Sequence, residues 1–163
     1  MKTAYFAGGC FWCITPTFQE LEGVAAVTSG YSGGAEVNPV YEDVKYQRTG
    51  HRETIRIDYD PTKVTYAELL QIFLDGVDPF DEGGQYIDRG HSYTLAVYYQ
   101  NEAEGADARN AIAQLEQMSG RKVYVAVEPF KSFYAAEEYH QEYYLKNPEA
   151  FRKELIESGR IKL

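Results

Sequence analysis

The stretch Met1-Lys2-Thr3-Ala4-Tyr5-Phe6-Ala7-Gly8-Gly9-Cys10-Phe11-Trp12-Cys13 decides how the rest of the chain is read. Residues 1–7 form a short apolar and aromatic run that Gly8-Gly9 stops, the pattern of a strand ended by a flexible turn. A helix follows and ends near Gly23, with Phe18 and Leu21 apolar among polar Gln19, Glu20 and Glu22. Pro16 complicates its start, because the residue before a proline resists helical dihedrals. Regular helix is therefore expected from near Thr15, with Cys13 in the turn that opens it.

Beyond this unit, residues 24–31 read as a second strand, closed by a Gly33-Gly34 turn, and residues 38–50 as an irregular polar stretch. Residues 52–59 alternate cleanly, with Ile55, Ile57 and Tyr59 on one face, until Asp60-Pro61 ends them. Tyr66, Leu69, Leu70 and Phe73 fall at the spacing of an amphipathic helix. A second irregular stretch, residues 78–91, precedes Tyr93, Leu95, Val97 and Tyr99, which alternate as a strand. Ala108, Ile112 and Leu115 mark another helix, residues 123–127 another strand, and residues 135–145 a last helix. The first six elements thus spell strand, helix, strand, strand, helix, strand. That order predicts an α+β fold, a ferredoxin-like two-layer sandwich with a βαββαβ core and an added C-terminal strand and helices. No repeat or linker divides the chain, so residues 1–163 read as a single domain. Its two long loops are where function is expected.

Composition narrows the function. The chain has 163 residues, 44% of them apolar, enough for one sizeable core. No apolar run reaches the roughly 18 residues of a membrane span, and the first ten residues lack the apolar core of a secretory signal. Sixteen Lys and Arg against 25 Asp and Glu give a net charge of -9. Without a basic cluster to neutralise phosphates, nucleic acid is not an expected partner, and the dispersed acidity reads as solubility. Two cysteines are too few for a disulfide framework, so a cytoplasmic setting with reduced thiols is expected.

Those two cysteines carry the chemistry. Strand, glycine turn, cysteine, helix start is a placement in which unpaired backbone N–H groups and the helix dipole favour a thiolate at Cys10. Cys10 and Cys13 stand at a spacing that a disulfide can close across one turn. A bare C-x-x-C also serves zinc sites and thioredoxin-like motifs, or marks two packed core residues. Zinc is disfavoured because a structural site takes about four ligands and His51, His91 and His140 are scattered. Glu53 shares the parity of Ile55, Ile57 and Tyr59. It is either an exposed rim carboxylate or an inward one, which desolvation would make a general acid. Tyr93 shares the parity of Leu95 and Val97, which by itself reads as core packing.

The sequence as a whole resembles the A-type peptide methionine sulfoxide reductases, over nearly its full length. The likeness rests on Ala7-Gly8-Gly9-Cys10-Phe11-Trp12, Gly30-Tyr31-Ser32-Gly33-Gly34, Asn38-Pro39-Val40-Tyr41, Thr49-Gly50-His51-Arg52-Glu53, Asp88-Arg89-Gly90-His91-Ser92-Tyr93, and Phe133-Tyr134-Ala135-Ala136-Glu137-Glu138-Tyr139-His140-Gln141. Each motif is weak alone, and together in this order they are specific. The resemblance implies that Cys10 is the nucleophile and Glu53 the proton donor. It implies that Tyr41 and Tyr93 hold the sulfoxide oxygen, that Asp88 orders the polar site, and that Phe11 and Trp12 take the S-methyl group. The chain departs from the family where Cys13 replaces a frequent Gly, Thr15 a frequent Glu and Ser92 a frequent Gln. Cysteines that many members carry at the position of Lys45 or in a C-terminal tail are missing. A resolving thiol is still needed, and Cys13 is the one left, as in members with Cys-Phe-Trp-Cys.

The expected reaction is reduction of methionine S-sulfoxide, free or in proteins, as repair of oxidative damage. A Cys10 sulfenic acid forms, Cys13 condenses with it to a disulfide, and thioredoxin or a similar dithiol restores both thiols. No cofactor, metal, membrane or nucleic acid enters this scheme. Selectivity for the S epimer comes from the resemblance alone. Two other readings remain open at this level: a general thiol–disulfide oxidoreductase, and a non-enzymatic module docking Met-rich or aromatic peptides. For His51, His91 and His140, packing or loop hydrogen bonding is the expectation.

Overall fold

The computed structural model describes residues 1–141 and 143–157. The elements run β1 (Lys2–Gly8), α1 (Phe11–Gln19), β2 (Val24–Ser32), α2 (Tyr41–Lys45), β3 (Arg52–Tyr59) and α3 (Tyr66–Asp75). They continue with a small hairpin, β4 (Gly84–Gln85) and β5 (Asp88–Arg89), then β6 (Leu95–Tyr99) and α4 (Glu102–Ser119). The chain then forms β7 (Val125–Pro129), β8 (Phe133–Ala135), α5 (Tyr143–Lys146) and α6 (Pro148–Glu157). This is a mixed α/β fold built on a six-stranded sheet in the order β7-β6-β1-β3-β2-β8. All neighbours pair antiparallel except β6 and β7. Among the described residues, no helix is long and apolar enough to cross a membrane.

Period-two alternation puts Ala4 and Phe6 of β1, Ile55 and Ile57 of β3 and Leu95 and Val97 of β6 into the main core. Helices α1 and α3 meet them there with Phe11, Ile14, Phe18, Leu69, Leu70 and Phe73. Phe6 stacks on Phe73 with centroids 4.9 Å apart. Each such ring contributes about 1.5–3 kcal/mol through burial. Helix α3 is started by a capping box, Thr65 with Glu68, and α4 by Asn101. The opposite sheet face is covered as well: Tyr5, Ala7, Ala96 and Tyr98 form a second cluster against Phe130 and Phe133. Gly30 is required there, because a Cβ would collide with the Phe133 ring where β8 lies along β2.

The structure corrects several expectations. Pro16 lies inside α1, which begins at Phe11, so Cys13 is a helical residue and not part of a preceding turn. Proline removes one helical N–H, but buried Phe11, Ile14, Thr15 and Phe18 hold the helix on the sheet, and the Thr15 hydroxyl bonds the Phe11 carbonyl at 2.6 Å. Tyr93 is in a 3-10 turn (His91–Tyr93) and not in the strand that follows. The two irregular stretches hold the short helix α2 and the β4–β5 hairpin. The strand placed at residues 123–127 begins at Val125.

The helix expected over 135–145 is absent from its first half, which is β8 and a 3-10 turn (Glu138–His140); residue 142 lies outside the described residues. Ala135-Ala136-Glu137-Glu138 are good helix formers. Tertiary bonds override them. The Ala136 N–H donates to the Ser29 carbonyl at 2.8 Å. The Gln141 amide imitates a strand residue, accepting from Ser29 N at 2.8 Å and donating to Ser29 O at 2.9 Å.

Candidate active site

Strand β1 delivers Cys10 to the base of α1, where it is the N-cap residue and 5% exposed. The turn needs both glycines. Gly9 adopts φ 85°, and a Cβ on Gly8 would strike Ile14 of the helix. The next backbone amide, Phe11 N–H, donates to Oε1 of Glu53 at 3.3 Å. Glu53 is 1% exposed on the inner face of β3, so of the two readings its strand parity allowed, rim or inward, the inward one holds.

Around this pair the remaining polar groups converge. Tyr93 is buried, and burial followed by Glu53, Tyr41, Asp88 and Cys10 pushes its phenol above the ordinary range, keeping the hydroxyl protonated. These five groups arrive from the N-cap of α1, β3, the start of α2, β5 and the turn before β6. Tyr93 therefore lies within electrostatic reach of Glu53, Tyr41, Asp88 and Cys10.

The aromatic wall is built beside them. Phe11 is fully buried and lies 5.9 Å from Tyr31 and 6.4 Å from Tyr41, centroid to centroid. Trp12 is half-buried, stacks against Tyr41 at 6.3 Å and His140 at 5.3 Å, and donates its indole N–H to His140 Nδ1 at 3.0 Å. His140 is 1% exposed, and desolvation lowers its pKa to about 4, against the weaker pull of Glu137. It is therefore neutral and able to accept at Nδ1. The other two histidines bond loops, His51 to Gly34 N and the Glu36 carbonyl and His91 to the Gly50 carbonyl.

Sequence reasoning missed Tyr31, Glu137 and His140 as parts of the site. Their signal was present in the Gly30-Tyr31-Ser32 and Phe133–Gln141 motifs, but those residues are separated by about 100 positions and nothing local relates them.

Cys13 faces elsewhere. Neither cysteine is in a disulfide, and Cys13 is half-buried where Cys10 is buried. It lines a cleft with Gly8, Ile14, Gln85, Tyr86 and Leu155, none of them from the Glu53 cluster. Its amide donates to the Cys10 carbonyl at 3.1 Å, so one helical turn relates the two thiols. Among the described residues, no three His, Cys, Asp or Glu are grouped to hold a metal ion.

Comparison with known proteins gives a consistent picture. The family model for peptide methionine sulfoxide reductase matches residues 2–163. The peptide methionine sulfoxide reductase MsrA of Picrophilus torridus is 46% identical over 147 residues, 89% of this chain and 82% of that protein. MsrA of Bacillus velezensis is 43% identical over 161 residues, 98% of this chain and 91% of its own length. The reduced form of Mxr1 from Saccharomyces cerevisiae superposes with a TM-score of 0.86 at 28% identity, over 91% of this chain and 86% of that one.

Proposed function

The chain belongs to the peptide methionine sulfoxide reductase family, and from that premise we propose that it reduces methionine S-sulfoxide, free or in proteins, with Cys10 as nucleophile and Cys13 as resolving thiol. The observation that carries this reading is the buried Glu53 carboxyl, held by the amide that follows buried Cys10, beside an aromatic wall of Phe11, Trp12 and Tyr41. The N-terminal pole of α1 favours negative charge on the Cys10 sulfur. The thiolate attacks the sulfoxide sulfur while Glu53 gives a proton to the oxygen. Hydroxyls of Tyr41 and Tyr93 stabilise the charge that grows there. Phe11 and Trp12 receive the S-methyl group, and Asp88 orders the polar side. The sulfoxide loses its oxygen and gains two electrons, leaving methionine and a Cys10 sulfenic acid.

Cys13 then attacks the sulfenic sulfur, water leaves, and the Cys10–Cys13 disulfide forms. A thioredoxin-type dithiol takes over that disulfide and regenerates both thiols. Such a cycle suits a reducing cytoplasm. The strand order β6-β1-β3-β2, with α1 and α3 as crossovers, supports a ferredoxin-like two-layer sandwich as the core of one catalytic domain, residues 1–163.

Replacement of Glu53 tests the acid. Glu53→Gln keeps an acceptor for the Phe11 amide, so the fold is expected to persist while sulfoxide reduction slows by roughly 10²–10⁴-fold. The rate is measured as methionine released from each epimer of a methionine sulfoxide peptide with dithiothreitol. Near-normal turnover at neutral pH would remove Glu53 from the mechanism.

A further inference from the structure

The segment after β8 reaches back to the site through one carboxylate. Glu137 Oε1 accepts the Tyr31 hydroxyl at 2.9 Å, and Oε2 accepts the Tyr41 N–H at 3.2 Å. Both oxygens are thus occupied as acceptors. Burial pushes Glu137 up, but backbone amides of its own segment, the Tyr31 hydroxyl, the Tyr41 amide and His140 outweigh it and leave the carboxyl below its usual range.

The amide it holds is the first of α2, a helix of 5 residues whose N-cap, Val40, supplies no side-chain bond. So short a helix has little stability of its own. Its orientation, and with it that of Tyr41, is set from outside. Tyr31, the other partner of Glu137, stands 5.9 Å from Phe11, and the Tyr41 ring is 4.2 Å from His140.

We propose that Glu137 is a positioning residue for Tyr41: its carboxylate ties the first turn of α2 to Tyr31 of β2, so that the Tyr41 hydroxyl is held where the sulfoxide oxygen arrives. The proposal rests on the role given to Tyr41 above. Glu137 itself neither meets the substrate nor moves a proton. Misplacement of a reacting group by about 1 Å can cost on the order of 10²-fold, so the effect belongs in kcat and not in substrate capture.

The test is a double-mutant cycle on single-turnover methionine release. Glu137→Ala is expected to lower the rate roughly 10–100-fold with the Michaelis constant changed less than about threefold. Glu137→Gln keeps an oxygen for the Tyr41 amide and an N–H₂ group for the Tyr31 oxygen, so it is expected to restore most of the rate. In a Tyr41→Phe background the Glu137→Ala loss is expected to disappear. If Glu137→Ala does not fold, Glu137→Asp, one methylene shorter, carries the same cycle with a smaller loss. An equal loss in both backgrounds, or a Gln variant as slow as the Ala variant, overturns the proposal while leaving Tyr41 in place. A Tyr41→Phe enzyme with full activity removes the role of Tyr41, and the positioning of it falls for that separate reason.

Discussion

The two ends of the first turn of α1 carry the same side chain in different surroundings. At Cys10 the thiol is buried, and the next amide, Phe11 N–H, holds a carboxyl from β3. One turn on, Cys13 is half-buried on a cleft lined by Gly8, Ile14, Gln85, Tyr86 and Leu155. Chemically equivalent residues are thus made unequal by where one helical turn points them. The Cys10 end can stabilise a leaving oxygen, and the Cys13 end can offer a thiol. In the mechanism proposed above, the sulfenic acid forms at Cys10 and the resolving attack comes from Cys13.

The sharpest way to break this contrast is to remove each sulfur in turn. Cys10→Ser is expected to abolish methionine release even in a single turnover. Cys13→Ser is expected to release close to one equivalent per enzyme and then stall when thioredoxin is the only reductant, since no disulfide forms for it to reduce. Mass spectrometry after one exposure to substrate separates them: the wild type loses two hydrogens, and Cys13→Ser gains one oxygen. Normal cycling of Cys13→Ser with thioredoxin would show that the two ends do not share the work as described.

Trp12 lies between the two cysteines in sequence but stands with the Cys10 side, against Tyr41 and His140. Trp12→Ala is expected to lower kcat/KM for sulfoxide by roughly 10–200-fold, the usual worth of a fitted methyl pocket. Reduction of the preformed disulfide by a small thiol is expected to stay the same. An unchanged kcat/KM would make the ring simple core packing.

The smallest expected effect concerns His140 and acid. Its folded pKa, about 4, is below the ordinary 6.5, so the unfolded chain takes up a proton that the folded one refuses. This group therefore lowers stability as pH falls from about 6.5 to about 4, with no further loss below. Protonation would also turn Nδ1 from an acceptor into a donor facing the Trp12 N–H. Urea midpoints measured across that range are expected to fall more steeply in the wild type than in His140→Gln. Parallel slopes in the two proteins would locate the acid sensitivity elsewhere.

Much of this molecule was legible in the residue order, for a local reason. Alternation over Arg52–Tyr59 put Glu53 on the same face as Ile55 and Ile57, and burial of that face made it an inward carboxyl. The glycine pair after β1 announced a turn, and the stripe from Tyr66 to Phe73 announced α3. Alternation also suggested that Tyr93 continues β6, yet the chain turns first at His91–Tyr93, and the phenol still reaches the site. The outer face of β3 was not legible. Arg52 is 8% exposed there, bonded to Thr94, Tyr98 and Glu128, because Phe130 and Phe133 cover a face that one-sided alternation leaves to water.

By itself, then, the sequence determined the elements with strong periodicity, the cysteine at a helix start and an acid in line with the apolar face of β3. These are consequences of a repeat of two or 3.6 residues acting on neighbours. Only the tertiary structure decided that residues 133–141 form an edge strand and a clamp, and that Cys13 lines a cleft with Gln85, Tyr86 and Leu155. It alone brought Glu137 to Tyr41 and His140 to Trp12. The clamp of residues 133–141 is made by hydrogen bonds between residues about 100 positions apart, strong enough to overrule the helix preference of Ala135 to Glu138 and invisible to any pattern read along the chain.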